Sequence, residues 1–502
     1  MYLVSRRRQG PAPSVVAWVA PVVLALVRGV ARDARVASKG DASDERPLTT
    51  TTVPTLDTAR WVDPTDGADG WSQGGPDRPP HASVQLKERW RVDGTGPLFG
   101  SPVLVDGVLY VVSSSGARAV EAATGATRWE NADVTSFAGF SFDDGALYAV
   151  SGTADRVVKV EPEDGRIVWT TQLPAQADAA TFAPPRVVGD VVLVGESSTE
   201  SLTTGDGLDF RGRMYGLDAG SGTIRWQHWT TEEPHSGASV WTFPTVDVDA
   251  GVVYFGTSNN YTDPPSDSSD SVFALDVATG EKRWSRQLLA GDVWAFQTHG
   301  PNGEFDYDVS TSPVLVDGRG DERDLLVVAQ KNGKVSALDR SDGELVWQRQ
   351  VSDGGRQGGV LGSLAFDGSH LLVVGNNGTS NGPGSEEANG EEVVPRLFWP
   401  PDAVSTSVLV ALDPSSGEMR WSRQLGAWSL SAVSVVDGVG YVAVGKGVEV
   451  FDPVMGATFD RVALPVETSS VVMGGGGVVF VGVSGGWNAN GDALVAFDVI
   501  EG

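Results

Sequence analysis

From Leu86 onward, short apolar runs alternate with polar turns, and the same arrangement returns unit after unit. A unit begins with a stretch such as Val103 to Val112, in which apolar and polar positions alternate as in a β-strand. A second strand follows, then an Asp-x-x-x-Gly-x-x-x-Trp segment. Gly and Trp stand four residues apart at Gly125/Trp129, Gly165/Trp169, Gly222/Trp226, Gly280/Trp284, Gly343/Trp347 and Gly417/Trp421. Asp218, Asp276, Asp339 and Asp413 each precede their glycine by four. In such a turn Asp accepts backbone N–H groups, Gly takes a positive φ, and Trp packs between neighbouring units.

Repeated units of four short antiparallel strands predict an all-β chain, a β-propeller. Two weaker units follow, at Asp452/Gly456 and Asp498/Gly502. The last has no outer strand of its own, and a spare one carrying the absent Trp lies at Gln85 to Val92. Using it to close the ring leaves no open edge. Counted so, residues 85–502 form an eight-bladed β-propeller.

The first 84 residues differ. Arg6, Arg7 and Arg8 precede an apolar run from Val15 to Val27, too short for the roughly 20 residues that span a bilayer. Residues 1–31 read as a signal peptide, with Gly29-Val30-Ala31 as its cleavage site, or alternatively as a signal anchor. Either predicts export: periplasmic, secreted or envelope-anchored. Residues 32–84 are polar, lack apolar periodicity and read as a linker with little structure.

Charge and cysteine content narrow the chemistry. The formal net charge of −28 opposes binding to nucleic acid or to an anionic membrane surface, leaving the N-terminus as the one expected membrane contact. With no cysteine there are no disulfides, thiolate metal sites or C-x-x-C-H haem attachment. The five histidines show no metal-binding spacing.

The docking repeat in an eight-bladed layout resembles that of the quinoprotein alcohol dehydrogenases. These use pyrroloquinoline quinone (PQQ) with calcium or a lanthanide. The resemblance covers about 85–502 and is strongest in blades three to five, where local strings are similar to the polyvinyl-alcohol-dehydrogenase branch. Residue roles follow from it. Glu200, in Gly195-Glu196-Ser197-Ser198-Thr199-Glu200, matches a metal-ligating carboxylate, with Glu196 as the competing position. Asn259, in Gly256-Thr257-Ser258-Asn259, matches the amide ligand. In Phe305-Asp306-Tyr307-Asp308, Asp306 takes the place of the catalytic base and a metal ligand. Asp308 matches the extra carboxylate of lanthanide-using members. Trp241 matches the indole under the quinone, Lys331 the base at its carbonyls, and Thr181 a contact to a PQQ carboxylate.

The adjacent cysteine pair of the methanol-oxidising members is absent. Gly358-Gly359-Val360-Leu361-Gly362 lacks the tryptophan of the corresponding family string. The resemblance implies oxidation of a small or polymeric primary or secondary alcohol, or a polyol, with an external electron acceptor. The competing expectation is a non-catalytic propeller acting as a protein-binding scaffold at the cell envelope, which needs the repeat but none of the site residues.

Overall fold

The computed structural model describes residues 72–73, 83–98, 100–151, 156–176, 178–200, 208–295, 306–318, 320, 322–355, 358–377, 406–464, 472–475, 477–483 and 492–502. Eight antiparallel sheets follow one another along the chain, which makes the eight-bladed propeller. The expected export signal at 1–31 lies outside the described residues.

The stretch 103–112, read above as one strand, is two. Val103–Val105 and Val108–Ser113 pair across a tight turn in which Asp106 and Gly107 have φ of 47° and 75°. Two successive positive φ values are what a two-residue hairpin requires, and Asp-Gly supplies them. The blade still has four strands.

Burial follows strand order within a blade. Second strands such as Val191–Ser198 and Val252–Gly256 are buried throughout, because both faces of the sheet pack against neighbouring blades. Their sequence is accordingly a nearly continuous apolar run. Outer strands such as Ile167–Gln172 keep one face in water and alternate.

The docking repeat joins each blade to the next, except at the joint between blades seven and eight. Gly165, Gly222, Gly343 and Gly456 have φ near +70°, as expected for this turn. Each lies flat against the indole of the preceding blade: Trp129, Trp169, Trp284 and Trp421 respectively. The indole N–H then donates to a carbonyl of that same turn, as from Trp129 to Pro162 O at 2.8 Å and from Trp226 to Val277 O at 3.0 Å. Room for the ring comes from small cross-strand partners: Ala119, Gly216, Ala274, Ala337 and Ala411 face the indole-bearing positions.

Closure works as the repeat implied. Val84–Asp93 pairs with Ala493–Glu501, and Trp90 from this borrowed strand docks on Gly125 of blade one. At the joint between blades seven and eight the Trp position holds Asp460, whose Oδ2 accepts the Leu86 N–H at 2.9 Å. Within the presumed linker, Ser72–Gln73 adds a short parallel strand to blade seven by pairing with Val435–Val436. The edge of that innermost strand offers free backbone groups, which a polar segment can use regardless of its side chains.

The docking turn generates a stability prediction. A Cβ on Gly343 would lie 2.6 Å from Trp284, at a φ of +74°. Gly343→Ala is expected to lower unfolding stability by about 2–4 kcal/mol, from left-handed backbone cost plus displacement of the indole. The denaturant midpoint measures it.

Candidate active site

Strand order places the candidate residues at one end of the propeller. Each leaves a second strand or enters a first strand, and in an antiparallel pair those two ends share an edge. Glu200, Asn259 and Lys331 follow Val191–Ser198, Val252–Gly256 and Leu325–Ala329. Thr181, Trp241 and Asp306 lie on the segments entering Arg186–Val188, Thr245–Asp247 and Val314–Val316. The docking turns occupy the opposite edge. A cleft of about 480 Å³ opens there between blades four and five, lined by Arg283, Arg323 and Arg340. Each of these guanidinium groups is ion-paired to an aspartate, so the cleft presents no free charge to a ligand.

At the first end, Lys331 Nζ bridges two carboxylates, 2.7 Å from Asp306 Oδ1 and 2.6 Å from Asp308 Oδ2. Burial alone would lower the lysine pKa, but the two neighbouring anions outweigh it and hold the ammonium above the ordinary lysine range. Asp308 is held on further sides, by Trp241 Nε1 at 3.2 Å and the Asn259 backbone N–H at 3.0 Å. Asn259 Nδ2 donates to the carbonyls of Asn260 and Trp294, both at 2.6 Å, which fixes the amide and turns its oxygen away from them. Trp241, Asn259, Asp306, Asp308 and Lys331 thus form one bonded cluster drawn from blades four and five.

The other candidates lie on blade three. Glu200 is buried, and its carboxylate accepts the N–H groups of Asp209 at 3.2 Å and Phe210 at 2.9 Å. Burial pushes its pKa up to about 7, against those two hydrogen bonds. Its loop reaches the Asn259 loop through a ladder of single bridges, Arg211 to Gly237 and Gly237 to Asn260. Thr181 follows a short strand paired with Ser197–Ser198; it is fully buried, and its Oγ1 has no hydrogen-bond partner among the described residues. Glu196 is spoken for: Arg213 grips both its oxygens, at 2.6 and 3.0 Å, in a buried ion pair.

Two acids with no motif around them also lie here. Asp292 and Asp270 are buried, and their pKa values respond to Asp306, Asp308 and Lys331. Among the described residues, both oxygens of Asp270 and Oδ1 of Asp292 have no hydrogen-bond partner. Desolvation, reinforced by the neighbouring negative charges, pushes Asp292 up to about 7 and Asp270 well above the carboxylate range. A lone aspartate in a loop carries no recognisable signal; only the packing of blade four makes these two special.

Residues 174–358 match the family model described as the glucose/ethanol/alcohol dehydrogenase β-propeller domain, PQQ. That span holds every candidate residue. Over this segment the chain is similar to the PQQ β-propeller domain. The chain is 32% identical over 327 residues to a polyvinylalcohol dehydrogenase of a Pseudomonas species, covering 58% of this chain and 50% of that protein. It is 33% identical to one from Sphingopyxis sp. strain 113P3, covering 57% and 49%. It therefore spans about half the length of these relatives. Among solved structures, the quinohemoprotein alcohol dehydrogenase of Comamonas testosteroni superposes with a TM-score of 0.68 at 18% identity, covering 87% of this chain and 80% of that one. A europium-containing methanol dehydrogenase gives 0.65 at 16%, covering 88% and 98%. At these identities the superpositions speak for the fold alone.

The residues of this propeller fit a flat, polyanionic cofactor with a hard cation. An indole pinned by its N–H offers a rigid face, and Thr181 Oγ1 is a buried polar atom with no partner among the described residues. Oxygen donors from Glu200, Asn259 and Asp306 suit calcium or a lanthanide. Among the described residues no three His, Cys, Asp or Glu side chains are arranged to hold a metal by themselves.

The raised acids predict a pH dependence for the metal-free protein. Asp292, Glu200 and Asp270 all bind protons more tightly folded than unfolded, where carboxyls titrate near 4. Stability is therefore expected to fall as pH rises from about 4 to about 7, since the unfolded state releases those protons first. Asp270→Asn removes one buried charge and should stabilise by roughly 2 kcal/mol at pH 8, with a smaller gain at pH 5. Thermal melts of both proteins across that range measure the difference.

Proposed function

We propose that the chain is an exported alcohol dehydrogenase that uses PQQ and a metal to oxidise a primary or secondary alcohol, or a polyol, to an aldehyde or ketone. The observation that carries this reading is the cluster in which Lys331 bridges Asp306 and Asp308 beside Trp241 and Asn259. It lies inside the segment matching the PQQ domain. The relatives named for polyvinyl alcohol support hydroxyl-bearing substrates, polymeric ones included.

Asp306 is the base that takes the hydroxyl proton of the alcohol, onto a carboxylate oxygen. A carboxylate is a weak base for an alcohol, so the step depends on holding the two close together in a site that excludes water. Asp306 is only 6% exposed. Lys331 holds that carboxylate in place by its ammonium, and the same ammonium would supply a donor for the carbonyls of a bound cofactor. Trp241 supplies the floor for the ring and Thr181 Oγ1 a donor for a cofactor carboxylate. Glu200, Asn259 and Asp306 are the metal ligands, and Asp308 adds a fourth oxygen source of the kind a lanthanide favours. Bound PQQ with its metal supplies the two-electron acceptor for the hydride that leaves the carbinol carbon. This cysteine-free chain has no site for a covalent haem, so the electrons pass to an external acceptor.

Export rests on Arg6 to Arg8 followed by the Val15 to Val27 run. A scaffold propeller has no use for a lysine buried between two aspartates, an arrangement costly to desolvate and of little structural benefit.

Titration of the metal-free protein with PQQ and either calcium or lanthanum, followed by ultraviolet–visible absorption and dye-linked alcohol oxidation, tests the reading. Metal-dependent binding with turnover is expected. Asp306→Ala should lose turnover by about 10²-fold or more. No cofactor binding with either metal would overturn the proposal.

A further inference from the structure

We infer that Asp292 is a positioning residue that sets the spacing between the Asn259 loop and the Asp306 loop. The inference rests on the roles given above to Asn259 and Asp306.

Gly291-Asp292-Val293-Trp294 runs beside Asn260 as a parallel bridge. Asn260 N donates to Asp292 O at 3.2 Å, and Trp294 N donates to Asn260 O at 2.8 Å. Trp294 O in turn accepts from Asn259 Nδ2 at 2.6 Å, so this segment also fixes which way the Asn259 amide faces. The carboxylate of Asp292 reaches the other loop. Its Oδ2 accepts the Tyr307 N–H at 2.8 Å, which belongs to the peptide joining Asp306 to Tyr307. One residue is thus tied by its backbone to the metal-ligand loop and by its side chain to the loop of the base.

The cost of this arrangement argues for a purpose. Asp292 is 1% exposed, and among the described residues its Oδ1 has no partner. A residue needed only to fill space would be apolar, since burying a carboxylate with one oxygen unsatisfied costs several kcal/mol. The bond that spans the loops needs an acceptor at Oδ2, not a charge. An asparagine oxygen can accept the same N–H, whereas alanine cannot. A displacement of the base by about 1 Å is enough to cost about a hundredfold in rate.

Amide hydrogen exchange at Tyr307 in the metal-free full chain reads the tether directly, without cofactor or substrate. Asp292→Ala should exchange there about tenfold faster than the native protein, and Asp292→Asn should return within about threefold of it. In the loaded enzyme, Asp292→Ala should lower kcat about a hundredfold with the alcohol KM little changed, and Asp292→Asn should restore it. Terbium binding, followed by Trp-sensitised luminescence, should weaken about tenfold in the alanine variant and recover in the asparagine variant. If alanine prevents folding, Asp292→Ser replaces it, its hydroxyl being too short to span the gap.

Unchanged exchange at Tyr307 in a folded alanine variant would overturn the inference. So would faster exchange that asparagine fails to correct, or that leaves kcat untouched. Failure of the native chain to bind PQQ sinks the functional reading instead, and the exchange experiment still decides whether Asp292 tethers the loop.

Discussion

The structure depends on an indole lying flat on a glycine. A blade whose second strand is apolar on both faces cannot stand alone, so each sheet must be covered on two sides by its neighbours. The tryptophan of one blade covers the glycine turn of the next and donates to its backbone, which fixes both the distance and the rotation between them. Only glycine serves there, because a positive φ and the contact with the ring each exclude a side chain. Around a ring, that single joint is used again and again. The strand Val84–Asp93 supplies it where the chain would otherwise end on an open edge.

Once the joints are fixed, the chemistry collects at the end away from them. Docking turns occupy one edge of every sheet, leaving the opposite edge for loops free to vary. In blades three to five these loops carry Glu200, Trp241, Asn259, Asp306 and Lys331, and they are laced by single backbone bridges rather than by full strands. The bridges run from Arg211 through Gly237 and Asn260 to Val293. Such a lattice is stiff enough to hold a constellation and irregular enough to place each side chain separately.

Electrostatics sets the character of that end. Asp270 and Asp292 lie near Asp306, Asp308 and the ammonium of Lys331. Desolvation, reinforced by the neighbouring carboxylates, shifts the proton affinities of Asp270 and Asp292 upward. Trp241 and Asn259 share Asp308 as their anchor, so the indole and the Asn259 backbone are held together.

Much of this was legible in the residues. The Gly-to-Trp spacing predicted the propeller, its blade number and its closure, because the docking joint is local: four residues suffice to build each half. Phe305-Asp306-Tyr307-Asp308 and Gln330-Lys331 pointed to chemistry, and the described members of the two strings lie bonded to each other. The hairpin hidden in 103–112 was legible too, had Asp106-Gly107 been read as a turn rather than as the polar beat of one strand. What the residues alone did not reveal is pairwise and distant. That Glu196 is consumed by Arg213 depends on two strands placed side by side. Nothing near Asp270 or Asp292 in the chain marks them as buried acids, since burial is conferred by loops far along the sequence. The sequence by itself determined the repeat and its joint, for these are short-range; the tertiary structure decided which carboxylates share a site, because only folding sets the distances over which charges act.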